Sequence, residues 1–275
     1  MKKTRIAVLG ASGMLGNAVG HYFNSHHKYD VQLSFRSLKY RYGNSSFHFD
    51  ALNERSIDRL PEVDYVINCI GCIPQRDYDV RTLMQVNAQF PHFLANLCEK
   101  RGIRLIHITT DCAFSGKTGD YNELAKPDAV DIYGISKELG EPQNCMVLRT
   151  SVIGRELRTK YSLLEWVSSL RKGTNVNGYM NHVWNGVTNV EYAKICDKII
   201  SHGFYENVKR HVFSDVPLSK YQMLLAFNKS YKLGLNIKPF QHSEHVNRSL
   251  STVYSLNRKL EIPTFQQMLE ELKEY

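Results

Sequence analysis

Apolar residues recur along the chain in two rhythms. Short β-rich runs occur at RIAVLG (5–10), DVQLSF (30–35), YVINCI (65–70), RLIHIT (104–109) and CMVLRT (145–150). Between them lie helical stretches: GMLGNAVGHYFNSH, ERSIDRL, VNAQFPHFLANLCEKR and GISKELGEP. In the third of these, Phe90, Phe93, Leu94, Leu97 and Cys98 form an apolar stripe at helical spacing. Strand and helix in strict alternation predict an α/β fold, with a parallel sheet, right-handed crossovers and helices on both faces. After about residue 151 the rhythm changes to helical segments such as SLLEWVSSLRKG, NVEYAKICDKIISHGF, PLSKYQMLLAFNKSY and PTFQQMLEELKEY, joined by polar, aromatic-rich connections. No Pro/Gly/Ser-rich linker and no internal repeat divides the chain. The expected organisation is a nucleotide-binding domain over 1–150 and a smaller substrate-binding lobe over 151–275, packed on the sheet and sharing elements with it.

Composition narrows the class. At 275 residues, 43% hydrophobic and 23% charged, the chain is an ordinary globular protein with a sizeable core. No apolar run approaches the roughly 18 residues of a membrane span, and MKKTRIAVLG reads as a first strand rather than a leader. A cytoplasmic protein with no membrane partner is expected. The formal charge of +8 comes from scattered residues without a basic tract or a nucleic-acid module. Neutral solvation or small polyanionic ligands therefore account for it better than nucleic acid does. Six cysteines include Cys69 and Cys72 in C-x-x-C spacing, but no second pair accompanies them, so small buried thiols are expected rather than a metal site.

Chemistry enters where RIAVLG runs into GASGMLG. Gly10, Gly13 and Gly16 then lie in a strand-to-helix turn. Such glycines permit a tight turn, close backbone approach to a pyrophosphate and close packing of the following helix. With Ser12, Met14 and Leu15 between them, they are cofactor-binding candidates. About 20 residues on, where an acid would select the NAD ribose, the chain has Arg36 and Ser37. Arg36 offers a fork suited to a 2′-phosphate and Ser37 a further hydrogen bond, which favours NADPH; a solvated loop cation is the alternative. Asp50, in FHFDALN, is placed either to contact the adenine or simply to begin a turn.

The stretch DIYGISKELGE sets Tyr133 and Lys137 four positions apart on a helix. Asn87, a cofactor-binding candidate like Tyr133 and Lys137, lies early in a helix expected to pack beside the strand RLIHITTD, near whose end Thr110 stands. Together these can reduce a ketone. Thr110 polarises the carbonyl, and Tyr133 delivers the proton once its pKa falls toward working pH. Lys137 lowers that pKa and bonds the nicotinamide ribose. For Thr110 alone, a strand-end hydroxyl capping a loop is an equal reading.

With these residues in place the chain resembles the extended short-chain dehydrogenase/reductases, and within them the dTDP-4-dehydrorhamnose reductase group. The matches span nearly the whole chain: GASGMLG (10–16), VNAQFP (86–91), ITTDCAFSGKTGDYNE (108–123), DIYGISKELGE (131–141), VLRTSVIGREL (147–157), NRSLST and LEIPTF. The resemblance implies a Rossmann-type doubly wound parallel sheet with a smaller C-terminal lobe. It also implies Thr110, Tyr133 and Lys137 as catalytic residues, and NADPH reduction of a nucleoside-diphosphate 4-keto-6-deoxy sugar (dTDP- or UDP-linked, rhamnose-type or 2-acetamido) for surface glycans. Val152 departs from the aromatic residue frequent at its position in the group. In GYMNHVWNGVTNVEYA (178–193), Trp184 and Asn185 are substrate-contact candidates, with a buried anchoring Trp as the alternative. Arg155 and Arg248 are candidates for the diphosphate, against structural ion pairs. Homodimers through sheet-flanking helices are common in that superfamily, and the resemblance admits one. Two other readings keep the fold: an epimerase or dehydratase with bound NAD, and a non-catalytic regulatory subunit.

Overall fold

The computed structural model describes residues 3–42, 45–76, 79–157 and 160–275. The first six strands are β1 (Thr4–Leu9), β2 (Tyr29–Phe35), β3 (Ser46–His48), β4 (Tyr65–Asn68), β5 (Arg104–Thr110) and β6 (Met146–Thr150). Between them run helices α1 (Met14–Ser25), α2 (Glu54–Ile57), α3 (Val80–Met84), α4 (Phe90–Lys100) and α5 (Ile132–Leu139). Beyond residue 151 the strands are β7 (Val152–Ile153), β8 (Asn175–Tyr179), β9 (His182–Trp184), β10 (Val187–Thr188), β11 (Lys209–His211), β12 (Leu218–Ser219), β13 (Asn236–Phe240) and β14 (Val246–Asn247). The helices there are α6 (Leu163–Ser168), α7 (Asn189–Ser201), α8 (Lys220–Ser230), α9 (Leu256–Leu260) and α10 (Phe265–Glu274).

Seven parallel strands form the main sheet in the order β11-β6-β5-β4-β1-β2-β3. The chain winds outward in both directions from β1 and β4. Their carboxyl ends therefore frame the crevice in which open α/β sheets bind ligands. Strand alternation divides the core. Ile6 and Val8 face one layer with Val19 and Phe23 of α1 and Ile195 and Ile199 of α7. Ala7 and Leu9 face the other, with Phe90, Leu94 and Cys98 of α4. Phe93, counted in the apolar stripe of that helix, is 55% exposed. The buried face follows the i, i+4, i+8 row through Phe90, and Phe93 falls outside it.

Two features depart from the periodicity. Residues Gln85–Gln89 form a π-helical turn leading into α4. Pro91, which has no N–H, follows four residues after Asn87, so the Asn87 carbonyl lacks its ordinary α-helical donor. The other is β11, whose KRH sequence carries no strand signal. It pairs along β6, with His211 beside Arg149, so the last strand of the main sheet comes from beyond residue 151. Arg149 is fully buried and binds Glu141 through Nε at 3.0 Å and Nη2 at 2.7 Å. Lys209 of β11 reaches the same carboxylate at 2.9 Å.

Candidate active site

At the end of β1, Gly10 takes φ +81° and donates its N–H to Ser34 Oγ at 2.9 Å. The positive φ suits a residue without Cβ. The turn closes with the Gly13 N–H on the Gly10 carbonyl, also 2.9 Å. A Cβ on Gly16 would lie 2.2 Å from that carbonyl, so α1 can pack this close only with glycine there. No side chain caps α1, which leaves its first turn of N–H groups to face the crevice. Gly10, Ser12, Gly13, Ser34, Arg36 and Asp50 line this end of the cleft. Ser37 and Gly16 lie outside that lining. Asp50 also holds its own turn, accepting the Leu52 N–H at 3.1 Å. Ser34 is the supporting residue that periodicity hides: its side chain points back to fix Gly10.

The loop after β4 (69–72) is shared with a second, larger compartment of about 660 Å3. Met14, Leu15, Thr110, Tyr133 and Lys137 line it, together with Val152. Thr110 stands at the end of β5, where its hydroxyl accepts the Cys112 N–H and donates to Asp111 Oδ1, both at 3.2 Å. Helix α5 carries Tyr133 and Lys137 and starts at Asp131, whose carboxylate accepts the Gly134 N–H at 2.8 Å. A Cβ on Gly134 would meet the Cys112 carbonyl at 2.2 Å. That glycine lets the tyrosine helix press against the turn carrying Asp111 and Cys112.

Asn87 is not in either lining. It is buried, and its amide is taken up inside the protein: Oδ1 accepts the Cys72 N–H at 2.9 Å, and Nδ2 donates to the Cys72 carbonyl and to Ser136 Oγ. It ties the 69–72 loop to α5 instead of offering a group to a ligand. Cys69 is half-buried and Cys72 buried, both as free thiols.

The electrostatics differ from expectation at one point. Burial holds the Tyr133 phenol above its ordinary value. Nearby Cys112 adds to the rise, and the hydrogen bond with Thr110 opposes it. The Lys137 ammonium donates to the Ile108 carbonyl at 2.9 Å. Burial lowers its own pKa to about 8 against the pull of Glu141. In the protein alone, desolvation outweighs any help the lysine gives the phenol.

Four substrate candidates sit elsewhere. Trp184 is 4% exposed and packs edge-on against Phe265 at 5.6 Å. Asn185 exchanges two 2.8 Å hydrogen bonds with the Leu250 backbone. Both depart from the substrate-contact expectation: each is buried and lies outside the lining of either compartment. Arg155 pairs with Glu165, the structural alternative. Arg248 donates from Nε to the Phe114 carbonyl at 2.9 Å, and its charge acts on Asp111. Lys220, at the first position of α8, also acts on Asp111 and was not legible from spacing. Among the described residues no group of three or more His, Cys, Asp or Glu is placed to hold a metal ion, and no helix is long and apolar enough to cross a membrane.

Residues 4–164 match the family described as the RmlD substrate binding domain. The chain belongs to that family. It is an extended short-chain dehydrogenase/reductase of the dTDP-4-dehydrorhamnose reductase-like group. It is 35% identical over 144 residues to the "Probable low-salt glycan biosynthesis reductase" of Haloferax volcanii, covering 49% of this chain and 46% of that protein. The match thus spans about half the length of that relative. Against the bovine (Bos taurus) methionine adenosyltransferase 2 subunit beta, identity is 24% over 260 residues, 87% of this chain and 76% of the other. The fold aligns with the Bacillus anthracis dTDP-4-dehydrorhamnose reductase in complex with NADP at a TM-score of 0.81, over 99% of both chains at 19% identity.

Proposed function

We propose that the chain is an NADPH-dependent reductase of a nucleoside-diphosphate 4-keto-6-deoxy sugar, dTDP- or UDP-linked and rhamnose-type or 2-acetamido, acting in surface-glycan synthesis. The observation that carries this reading is the convergence of Thr110, Tyr133 and Lys137 on one compartment that opens onto the glycine turn. The fit to a dinucleotide rests on the close approach of Gly16 to Gly10 and on the uncapped start of α1. Gly10, Ser12, Gly13 and Met14 would hold the diphosphate, and Arg36 the 2′-phosphate. When bound, the reduced nicotinamide supplies the hydride.

The chain's own residues supply the rest. Tyr133 stays protonated in its buried setting, as a general acid must before it acts. Its proton goes to the oxygen of the substrate carbonyl as charge develops there. The Thr110 hydroxyl lies beside the phenol and can hold the same oxygen. Lys137, one helical turn along on the same compartment, would supply a cation for the phenolate that remains. The exposed Arg36 favours NADPH over NADH because a guanidinium pairs with a phosphate more strongly than with a ribose hydroxyl.

The test is NADPH absorbance with a panel of enzymatically generated dTDP-, UDP- and GDP-4-keto-6-deoxy sugars. Oxidation with at least one, and a deoxysugar product by NMR, is expected. NADPH binding without oxidation by any of them would overturn the reading and favour a regulatory subunit.

A further inference from the structure

The Thr110 hydroxyl has one proton, and the structure already gives it a recipient. It donates to Asp111 Oδ1 at 3.2 Å while its oxygen accepts the Cys112 N–H. A carboxylate accepts only, and it draws a hydroxyl proton more strongly than a neutral ketone does. While Asp111 is ionised, Thr110 is therefore turned away from the substrate's carbonyl. A protonated carboxyl can instead donate, which frees the Thr110 proton to rotate into the compartment.

The surroundings of Asp111 bring opposing influences to bear. It is 5% exposed and lines the reactive compartment. Burial favours the protonated form. Arg248 after β14 and Lys220 at the start of α8 favour the ionised form, as do its bonds to Thr110 and Cys112. Tyr133 faces it from α5, and Asp131 is within electrostatic reach of both Tyr133 and Cys112. The two cations come from the small lobe, and the carboxyl from the end of β5.

We propose that Asp111 is a positioning residue: its carboxyl sets whether the Thr110 proton points into the protein or toward the substrate's carbonyl oxygen, and Lys220 and Arg248 tie that setting to the docking of the small lobe. The inference deepens the reductase reading and rests on it. An anionic substrate that draws Lys220 or Arg248 away from Asp111 would favour the protonated carboxyl and so prepare Thr110 as a donor.

Two measurements test it. In protein labelled with carboxyl-13C aspartate, the Asp111 resonance is identified by its loss in Asp111→Asn, and its titration midpoint is followed. Thr110→Val and Lys220→Met should each raise that midpoint by about half a unit or more, since each removes a partner of the charged form. Separately, kcat of the native chain should fall about tenfold as pH rises through that midpoint, and Asp111→Asn should lack this limb while keeping its NADPH affinity. A midpoint unmoved by both substitutions, or an unchanged limb in Asp111→Asn, overturns the proposal. Absence of turnover in the native chain would overturn the reductase reading, and with it the substrate half of this proposal. The NMR titration would still decide whether Asp111, Thr110 and Lys220 are coupled.

Discussion

The two ends of the cleft are built by different means. At the glycine turn the work falls to the backbone: a positive φ, a carbonyl approached within a methyl's width and the N–H groups of an uncapped helix. At the Thr110 end it falls to buried side chains whose proton affinities are displaced from their ordinary values. Backbone geometry binds without titrating. Buried ionisable groups can move protons, and they cost stability for as long as no ligand compensates them.

The largest expected effect breaks the reactive end alone. Tyr133→Phe should lower kcat by about 10²-fold or more, the cost of losing a general acid. NADPH affinity, measured by fluorescence titration, should stay within a factor of about two. If turnover survives, the proton comes from elsewhere. Arg36→Ala tests the other end. NADPH affinity should fall about 10- to 100-fold, as for a lost charge-assisted pair, with NADH affinity nearly unchanged. An equal loss for both cofactors would place Arg36 outside the 2′-phosphate site.

A paired substitution sharpens the contrast. Gly16→Ala and Gly134→Ala each set a Cβ 2.2 Å from a backbone carbonyl, and overpacking of this kind costs about 1–3 kcal/mol. The first should weaken NADPH binding with little change in kcat at saturation, and the second the reverse. Identical kinetic signatures in the two variants would dissolve the division of labour.

The smallest effect concerns Lys137. Its pKa of about 8 in the folded protein lies below the ordinary lysine value of 10.5. The folded state thus binds fewer protons than the unfolded state between those pH values, and the buried ammonium is most costly below pH 8. Lys137→Met should stabilise the cofactor-free protein at pH 7 by about 1–3 kcal/mol in urea denaturation. The gain should shrink as pH rises from 8 toward 10.5, while activity is lost. A destabilised variant at pH 7 would mean that the bond to Ile108 outweighs desolvation.

Legibility in the sequence followed the same division. The strands from RIAVLG to CMVLRT and the turn at Gly10 are local patterns, whereas the order of those strands in the sheet is set by the tertiary fold. Tyr133 and Lys137 could be read as a pair because four residues is a helical interval. Lys220 and Arg248 could not. Each is an ordinary cation locally, and only the folding of α8 and β14 brings their charge to Asp111. Trp184 misled for the converse reason: an aromatic in a polar connection resembles a ligand contact until Phe265, 81 positions later, is packed on it. Asn87 was read as a cofactor contact from its helix, whereas its amide bonds reach Cys72 and Ser136, which only the tertiary fold brings near.

The seventh strand has a consequence for synthesis of the protein. Until Lys209–His211 has left the ribosome, β6 has an open edge, and the Arg149–Glu141 pair lacks the Lys209 cation that reaches it in the finished fold. A nascent chain halted near residue 150 would hold every residue of the glycine turn and the Thr110–Tyr133–Lys137 set, yet present an unpaired strand to its neighbours. The edge of β6 is therefore closed only by a tripeptide about 60 residues downstream of it.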